Sequence, residues 1–204
     1  MEMAKDIYKT IQASSEGVYK EKGSKFLSFL HPVANEEEVR NYIEQYRRKF
    51  HDARHVCYAW VIGKQKPYVT RSNDDGEPTG TAGKPMLSQL TSAGLTNVLV
   101  IVVRYFGGVL LGTGGLVIAY RTAVANALAE SVIVQCTIDR TIRITFDYPL
   151  MGEVMRIVKE EKLKIEHQDM GLNCHLTLSY RLAIEEKILE RFRLLLKVQV
   201  EQCS

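Results

Sequence analysis

Nowhere in the 204 residues is there an unbroken apolar run of the ~18 residues that a membrane-spanning helix needs. The longest apolar block, Leu116 to Val134, is interrupted by Arg121, Asn126 and Glu130, so no membrane span is expected. The first nine residues also lack an apolar stretch, so no secretory leader is expected and a cytoplasmic protein is. Cysteine is sparse. Cys57, Cys136, Cys174 and Cys203 stand far apart with no C-x-x-C pair, which argues against a zinc knuckle or a disulfide scaffold and for free thiols. The five histidines contain no H-E-x-x-H, no G-x-S-x-G elbow occurs, and no cysteine sits in a protease signature. A complete hydrolytic centre therefore cannot be assembled from the sequence. Charge of one sign is lacking as well. Lys and Arg number 27 against 24 Asp and Glu, a net of +3, too small an excess to mark a nucleic-acid binder by itself.

Where the charge lies says more. Residues 1–138 carry 16 basic against 13 acidic side chains, and residues 139–204 carry 11 against 11. Any attraction to polyanions belongs to the first part. The two parts also differ in pattern, so the chain divides into domains at 1–136 and 139–204. The second reads as strand Thr141–Asp147, a helix after Pro149, strand Leu163–Gln168, a turn at Gly171 and Asn173, strand His175–Leu182, helix Ile184–Leu196 and strand Lys197–Cys203. The β-α-β-β-α-β order in so short a length predicts a ferredoxin-like domain.

In the first part, Ile7–Tyr19 and Lys25–Val33 read as strands. Asn35 is placed to cap a helix whose first turn holds Glu36, Glu37 and Glu38 and which runs to about Phe50. Val56–Ile62 and Pro67–Arg71 read as strands, and Lys84–Ala93 as a helix started by Pro85. Val98–Tyr105 is apolar enough for a central strand, and Leu116–Val134 is expected to be a buried helix. The class is α+β, with helices expected on one side of a sheet.

Chemistry concentrates in three segments. Val102–Leu116, V-V-R-Y-F-G-G-V-L-L-G-T-G-G-L, runs from strand through glycines into a helix. Unpaired amides at a helix start and the close approach that glycine permits make a site for phosphate or carboxylate. The candidate residues are Arg104, Tyr105, Gly107, Gly108, Gly112, Thr113, Gly114, Gly115 and, further along, Arg121. The spacing is neither a P-loop nor a dinucleotide fingerprint. The same glycines also suit tight turns and close packing of helix on strand. Ser72–Pro85, S-N-D-D-G-E-P-T-G-T-A-G-K-P, places Asp74, Asp75 and Glu77 within four residues. They could bind a divalent cation, hydrogen-bond turn amides, or pair with Lys84, Arg54 or Arg104; the EF-hand pattern is absent. Lys84, near a helix start, is a candidate phosphate partner. Asp52–Trp60, D-A-R-H-V-C-Y-A-W, sets Arg54 and His55 before a strand, with Cys57 two residues on and so on the same face as His55.

At these three segments the chain resembles the YigZ/IMPACT family. The matching residues are D-A-R-H-x-C-Y-A-W, D-D-G-E-P-x-G-T-A-G-K-P-M-L at Asp74–Leu87, and V-V-R-Y-F-G-G-x-L-L-G-T-G-G-L followed by Ala119 and Tyr120. Ile118 departs from the family, which often has a basic residue there. The resemblance implies a first domain with the ribosomal protein S-five domain-two-like fold. It also implies a second domain like the C-terminal ferredoxin-like domain of elongation factor G. Eukaryotic members regulate translation under amino-acid starvation, and some bacterial members are labelled proline dipeptidases, for which this chain shows no matching ligand set.

Three functions stand open at this point. The leading one is a non-enzymatic protein that binds RNA, the ribosome or a translation factor through the glycine-rich face, with Arg54, His55, Lys84, Arg104 and Arg121 holding phosphates. Tyr105, Phe106 and Tyr120 would then stack on bases or pack in the core. The second is an enzyme or sensor for a phosphorylated small molecule or nucleotide, with a divalent cation on the acidic turn. The third is a protein-interaction module using the sheet of the second domain. No resident cofactor is called for, and the oligomeric state is left open.

Overall fold

The structure, a computed structural model, describes residues 6–171 and 173–203; the leader expectation falls largely on residues outside them. The chain forms two compact units, Tyr8–Cys136 and one built on the residues from Thr137 onward that takes in Asp6 and Ile7. Among the described residues no helix is long and apolar enough to cross a membrane.

Tyr8–Cys136 is built on a five-stranded antiparallel sheet in the order β2-β3-β6-β4-β5, with β2 at Ser15–Glu21, β3 at Ser24–Pro32, β4 at His55–Ile62, β5 at Val69–Asn73 and β6 at Val98–Tyr105. The apolar run Val98–Val103 is fully buried and lies between β3 and β4. Helices cover both faces of this sheet, not the one face expected. On one side α2 (Gly83–Ser92) and α3 (Gly112–Ala129) pack on Phe26, Leu30, Cys57, Ala59, Val98, Val100 and Val102. On the other, α1 (Glu36–Lys49) packs Val39 and Tyr46 on Phe29, Val56, Trp60, Leu99 and Ile101. A strand whose successive residues are all apolar has both faces to bury, and β6 already carried that signal. The cap of α1 is as expected: Asn35 Oδ1 accepts from the Glu38 amide at 2.9 Å.

Two boundaries differ from expectation. The stretch Ile7–Tyr19 is two strands, β1 (Ile7–Ile11) and β2, because Gln12–Ser14 turn the chain; β1 pairs with β7 (Ile133–Thr137). The helix expected over Leu116–Val134 starts one turn earlier at Gly112 and stops at Ala129, and its supposed end is strand β7. Glycine's poor helix propensity hid the true start.

The second unit holds a four-stranded antiparallel sheet in the order β11-β8-β10-β9: β8 at Asp139–Asp147, β9 at Lys164–Met170, β10 at Asn173–Arg181 and β11 at Gln199–Cys203. Asn173, expected in a turn, opens β10. The helices α4 (Met151–Glu160) and α5 (Glu185–Arg193) cover one face through Val154, Ile157, Val158, Ile188 and Phe192. Within this unit the buried Asp6 carboxylate accepts from Arg181 Nε at 2.9 Å.

Candidate functional site

Strand pairing sets the floor of the site. Arg104 on β6 lies opposite Phe26 on β3 and His55 on β4. Side chains alternate between faces, so all three point to the α2–α3 side with Val102 and Cys57. By the same alternation Tyr105 points to the α1 side, where its hydroxyl donates to Asp52 Oδ1 at 3.0 Å. It therefore does not join Arg104 as the sequence reading grouped them.

Arg104 is almost wholly buried, its side chain 7% exposed, and its Nη1 donates to Glu77 Oε1 at 2.7 Å. Its guanidinium carbon lies 5.4 Å from the centre of the Phe26 ring and 5.7 Å from that of Phe106, within cation–π range. Tyr120, on α3, donates its hydroxyl to the same Glu77 oxygen at 2.8 Å. His55 Nδ1 donates to the Asp75 carbonyl at 2.8 Å. That bond spends the Nδ1 hydrogen and makes Nε2 of the neutral ring an acceptor; Nε2 stands 4.0 Å from Glu77 Oε1.

The acidic turn is engaged largely by the protein's own donors. Asp74 accepts from the amides of Gly80 (2.8 Å), Ala82 (3.0 Å) and Gly83 (2.8 Å), closing the N-terminus of α2. Burial works to raise its carboxyl, but those three amides and the charge of Lys84 outweigh it and hold Asp74 below the usual range. Asp75 accepts from the Val56 amide at 2.8 Å and from Arg47 at 2.5 Å. Glu77 serves Arg104 and Tyr120. Among the described residues no group of three or more His, Cys, Asp or Glu is arranged to hold a metal ion, so the cation suggested for this turn finds no ligand set there.

Cys57 shares its face with His55 as the strand reading implies, but it does not form a nucleophilic pair with it. Its thiol donates to the Asp74 carbonyl at 3.0 Å and lies 3.3 Å from the Tyr120 hydroxyl. Burial, joined by the negative charges of Glu77, Asp75 and Asp74, pushes the thiol far above the cysteine range. A thiol held protonated is a poor nucleophile.

The glycines divide by role. Gly107 is a packing glycine: a Cβ there would meet the Gly23 carbonyl carbon at 1.9 Å, and its amide already donates to Ser24 Oγ at 3.1 Å. Gly112 opens α3 at φ +70°, a conformation that side chains resist. Gly108 lies in open space within the loop, and Gly114 and Gly115 form the first turn of α3. That helix begins with no side-chain cap and no acid in its first turn.

In front of this helix end lies a cavity of about 440 Å³, lined by Arg54, His55, Gly76, Glu77, Pro78, Arg104, Phe106, Leu110, Leu111, Gly112, Thr113 and Leu116. Arg54, His55, Glu77, Arg104, Gly112 and Thr113 are thus brought together. Lys84 is exposed at the start of α2 and Arg121 is exposed along α3, and neither lines the cavity. The apolar wall of Leu110, Leu111 and Leu116 was missed. Its signal was the V-L-L set among glycines, and Leu110 is 83% exposed.

The family description "Impact N-terminal domain" fits residues 22–128, a stretch that contains every lining residue. An IMPACT family member from Haemophilus influenzae is 38% identical over 173 residues, covering 84% of this chain and 82% of its own. IMPACT family member YigZ from Escherichia coli is 42% identical over 143 residues, 70% of this chain and 67% of its own. A solved structure described as that of a hypothetical protein superimposes over 98% of both chains with a TM-score of 0.72 at 30% identity.

Proposed function

The chain belongs to the IMPACT family, and from that premise we propose that it is a non-enzymatic regulatory protein of translation, acting in the cytoplasm by holding an anionic group of its partner in the cavity at the start of α3. The partner is RNA, the ribosome or a translation factor. The observation that carries this reading is the uncapped N-terminus of α3, opened by Gly112 and facing a cavity edged by the exposed Arg54. Free amides and the positive end of a helix favour a negative group there. The translation setting rests on the role of family members that the motifs resemble. The same reading gives domains at 1–136 and 139–204, the first with the ribosomal protein S-five domain-two-like fold and the second ferredoxin-like; the strand order β11-β8-β10-β9 supports the latter.

The test is co-sedimentation with ribosomes, with labelled RNA and with translation-factor fractions at low and high salt. Retention at low salt that weakens as salt rises, and weakens further in Arg54→Ala, is the expected result. Absence from ribosomes, RNA and translation-factor fractions at low salt removes the reading.

A further inference from the structure

This inference rests on the reading above, that the open end of α3 is a binding site, and names what fits it. We infer that the cavity takes a single nucleotide unit with a free 5′-phosphate, its phosphate on the α3 amides and Thr113, its base or sugar donors toward His55 and Glu77, and its ring against the apolar wall.

Four observations converge. First, the distribution of charge does not suit a polyanion track. Of the expected cations, Lys84 and Arg121 lie off the cavity, Arg104 is met by Glu77 at 2.7 Å, and Arg54 remains at the edge. One anionic group fits that arrangement; a run of phosphates does not. Second, the opposite part of the lining offers acceptors. Both donors to Glu77 fall on Oε1, which leaves Oε2 for a further hydrogen. His55 Nε2 faces the same carboxylate with no hydrogen between them in the neutral ring. An amino or hydroxyl donor satisfies both. Third, the buried floor is not fully satisfied by the protein. Arg104, at 7% side-chain exposure, is one of the lining residues, and its Nε, buried behind the cavity surface, lacks any partner. An unpaired buried donor is costly, and an acceptor on a bound ligand removes that cost once the side chain adjusts. Fourth, size and surface decide between ligands of this pattern. At about 440 Å³ the cavity falls in the ~300–1,000 Å³ range of small-molecule sites. It is too roomy for inorganic phosphate or a free amino acid. Phe106, 46% exposed, and Leu110, 83% exposed, offer an aromatic face and an aliphatic one to a flat ring.

The nucleotide unit has two sources, a free nucleoside monophosphate or the 5′-phosphorylated end of an RNA. Calorimetric titration of the full chain with AMP, GMP, CMP and UMP, with the matching nucleosides, and with inorganic phosphate tests the site. Paired short oligoribonucleotides with and without a 5′-phosphate separate the sources. The expected result is binding of a monophosphate or of the phosphorylated end, at least tenfold tighter than nucleoside or phosphate alone. Arg54→Ala and Thr113→Val should each weaken it about tenfold. Both residues are outside the core, and an unchanged melting temperature verifies the fold. No binding by any 5′-phosphate arm overturns the inference. So does equal binding of nucleoside, or indifference to both substitutions. Ribosome retention that depends on Arg54 without nucleotide binding leaves the translation reading and sinks this one. Nucleotide binding in a protein that ignores ribosomes, RNA and translation factors does the reverse.

Discussion

The two helices on the same face of the sheet begin in opposite ways. At α2 the chain supplies its own anion: Asp74 takes the amides of Gly80, Ala82 and Gly83. At α3 it supplies none, and the helix opens on a cavity. Each end presents the same unpaired donors and partial positive charge. What differs is whether sequence elsewhere in the chain reaches the end. A D-D-G-E turn therefore serves two purposes. Its first acid closes one helix, and its last, Glu77, fixes Arg104 and Tyr120 beneath the other. One helix end is closed by the chain itself, and the other is the one that the proposed function assigns to a ligand.

The largest effect should come from the floor under the open end. Arg104→Ala removes the cation from a Glu77 whose side chain is 3% exposed. Leaving one partner of a buried ion pair alone costs about 3–5 kcal/mol. Denaturant titration should show that loss, and Glu77→Gln in the same background should recover most of it. A cost below about 1 kcal/mol would mean that Glu77 is not held as described. Next comes the closed end. Asp74→Ala strips three amides of their acceptor and should cost about 2–3 kcal/mol, with no change in ligand affinity at α3. Loss of binding alongside stability would show that the two ends are not separable.

A pH series sharpens the contrast from the far face of the sheet. His31 is buried between Ser14 Oγ (2.7 Å) and the Tyr46 hydroxyl (2.9 Å) and stacks on Tyr42. Burial lowers it from 6.5 to about 4. The unfolded chain therefore takes up a proton at higher pH than the native one. Stability from this group is whole above about pH 6.5 and is lost as pH falls toward 4, by about 3 kcal/mol in all. Asp74, held below its ordinary 3.8, loses its share only below that value. Two separate acid limbs are expected in denaturation midpoints, the upper one flattened in His31→Gln. A single limb near pH 4 in the native sequence would remove the His31 assignment.

Much of the fold could be read from local pattern, because local pattern is what built it. Asn35 with three acids behind it caps α1 as its chemistry demands, and the unbroken apolar run of β6 lies at the sheet's centre. The elements that misled are those where one signal overrode another. The glycines of Gly112–Gly115 argue against helix, yet that turn is helical because the rest of α3 is anchored by Leu116, Tyr120, Ala123 and Val124 in the core. The site was half legible for a related reason. Arg54, His55, Arg104, Gly112 and Thr113 could be named because a motif holds each near a loop. Arg121 could not be excluded without knowing where α3 begins. Nine residues past Gly112 is two and a half turns at 3.6 residues per turn, which sets it ~14 Å further along and half a rotation away. Tyr105 fell by strand alternation from its neighbour. Pairing of the acidic turn with Arg104 stood among three open partners, and the strand order, which no spacing in the sequence encodes, selects it for Glu77.

The smallest stability change tests the comparison most directly, by giving α3 what α2 has. At Gly114 nothing lies within 4 Å of a built Cβ, and the backbone is not in the left-handed region. A Cβ there meets no neighbour. Gly114→Asp should stabilise the protein by about 1 kcal/mol, from lower chain entropy and from a charge at the positive end of the helix. The same carboxylate should repel any anion from the cavity mouth and compete for its amides, reducing affinity at least tenfold. Gly114→Asn carries similar bulk with no charge and should keep most of the binding. Thermal melting of the three proteins, set beside their calorimetric affinities, reads both quantities. If Gly114→Asp gains stability and binds as the native chain does, the open helix end is not where the ligand's negative group rests, and the difference between the two helices is one of folding alone.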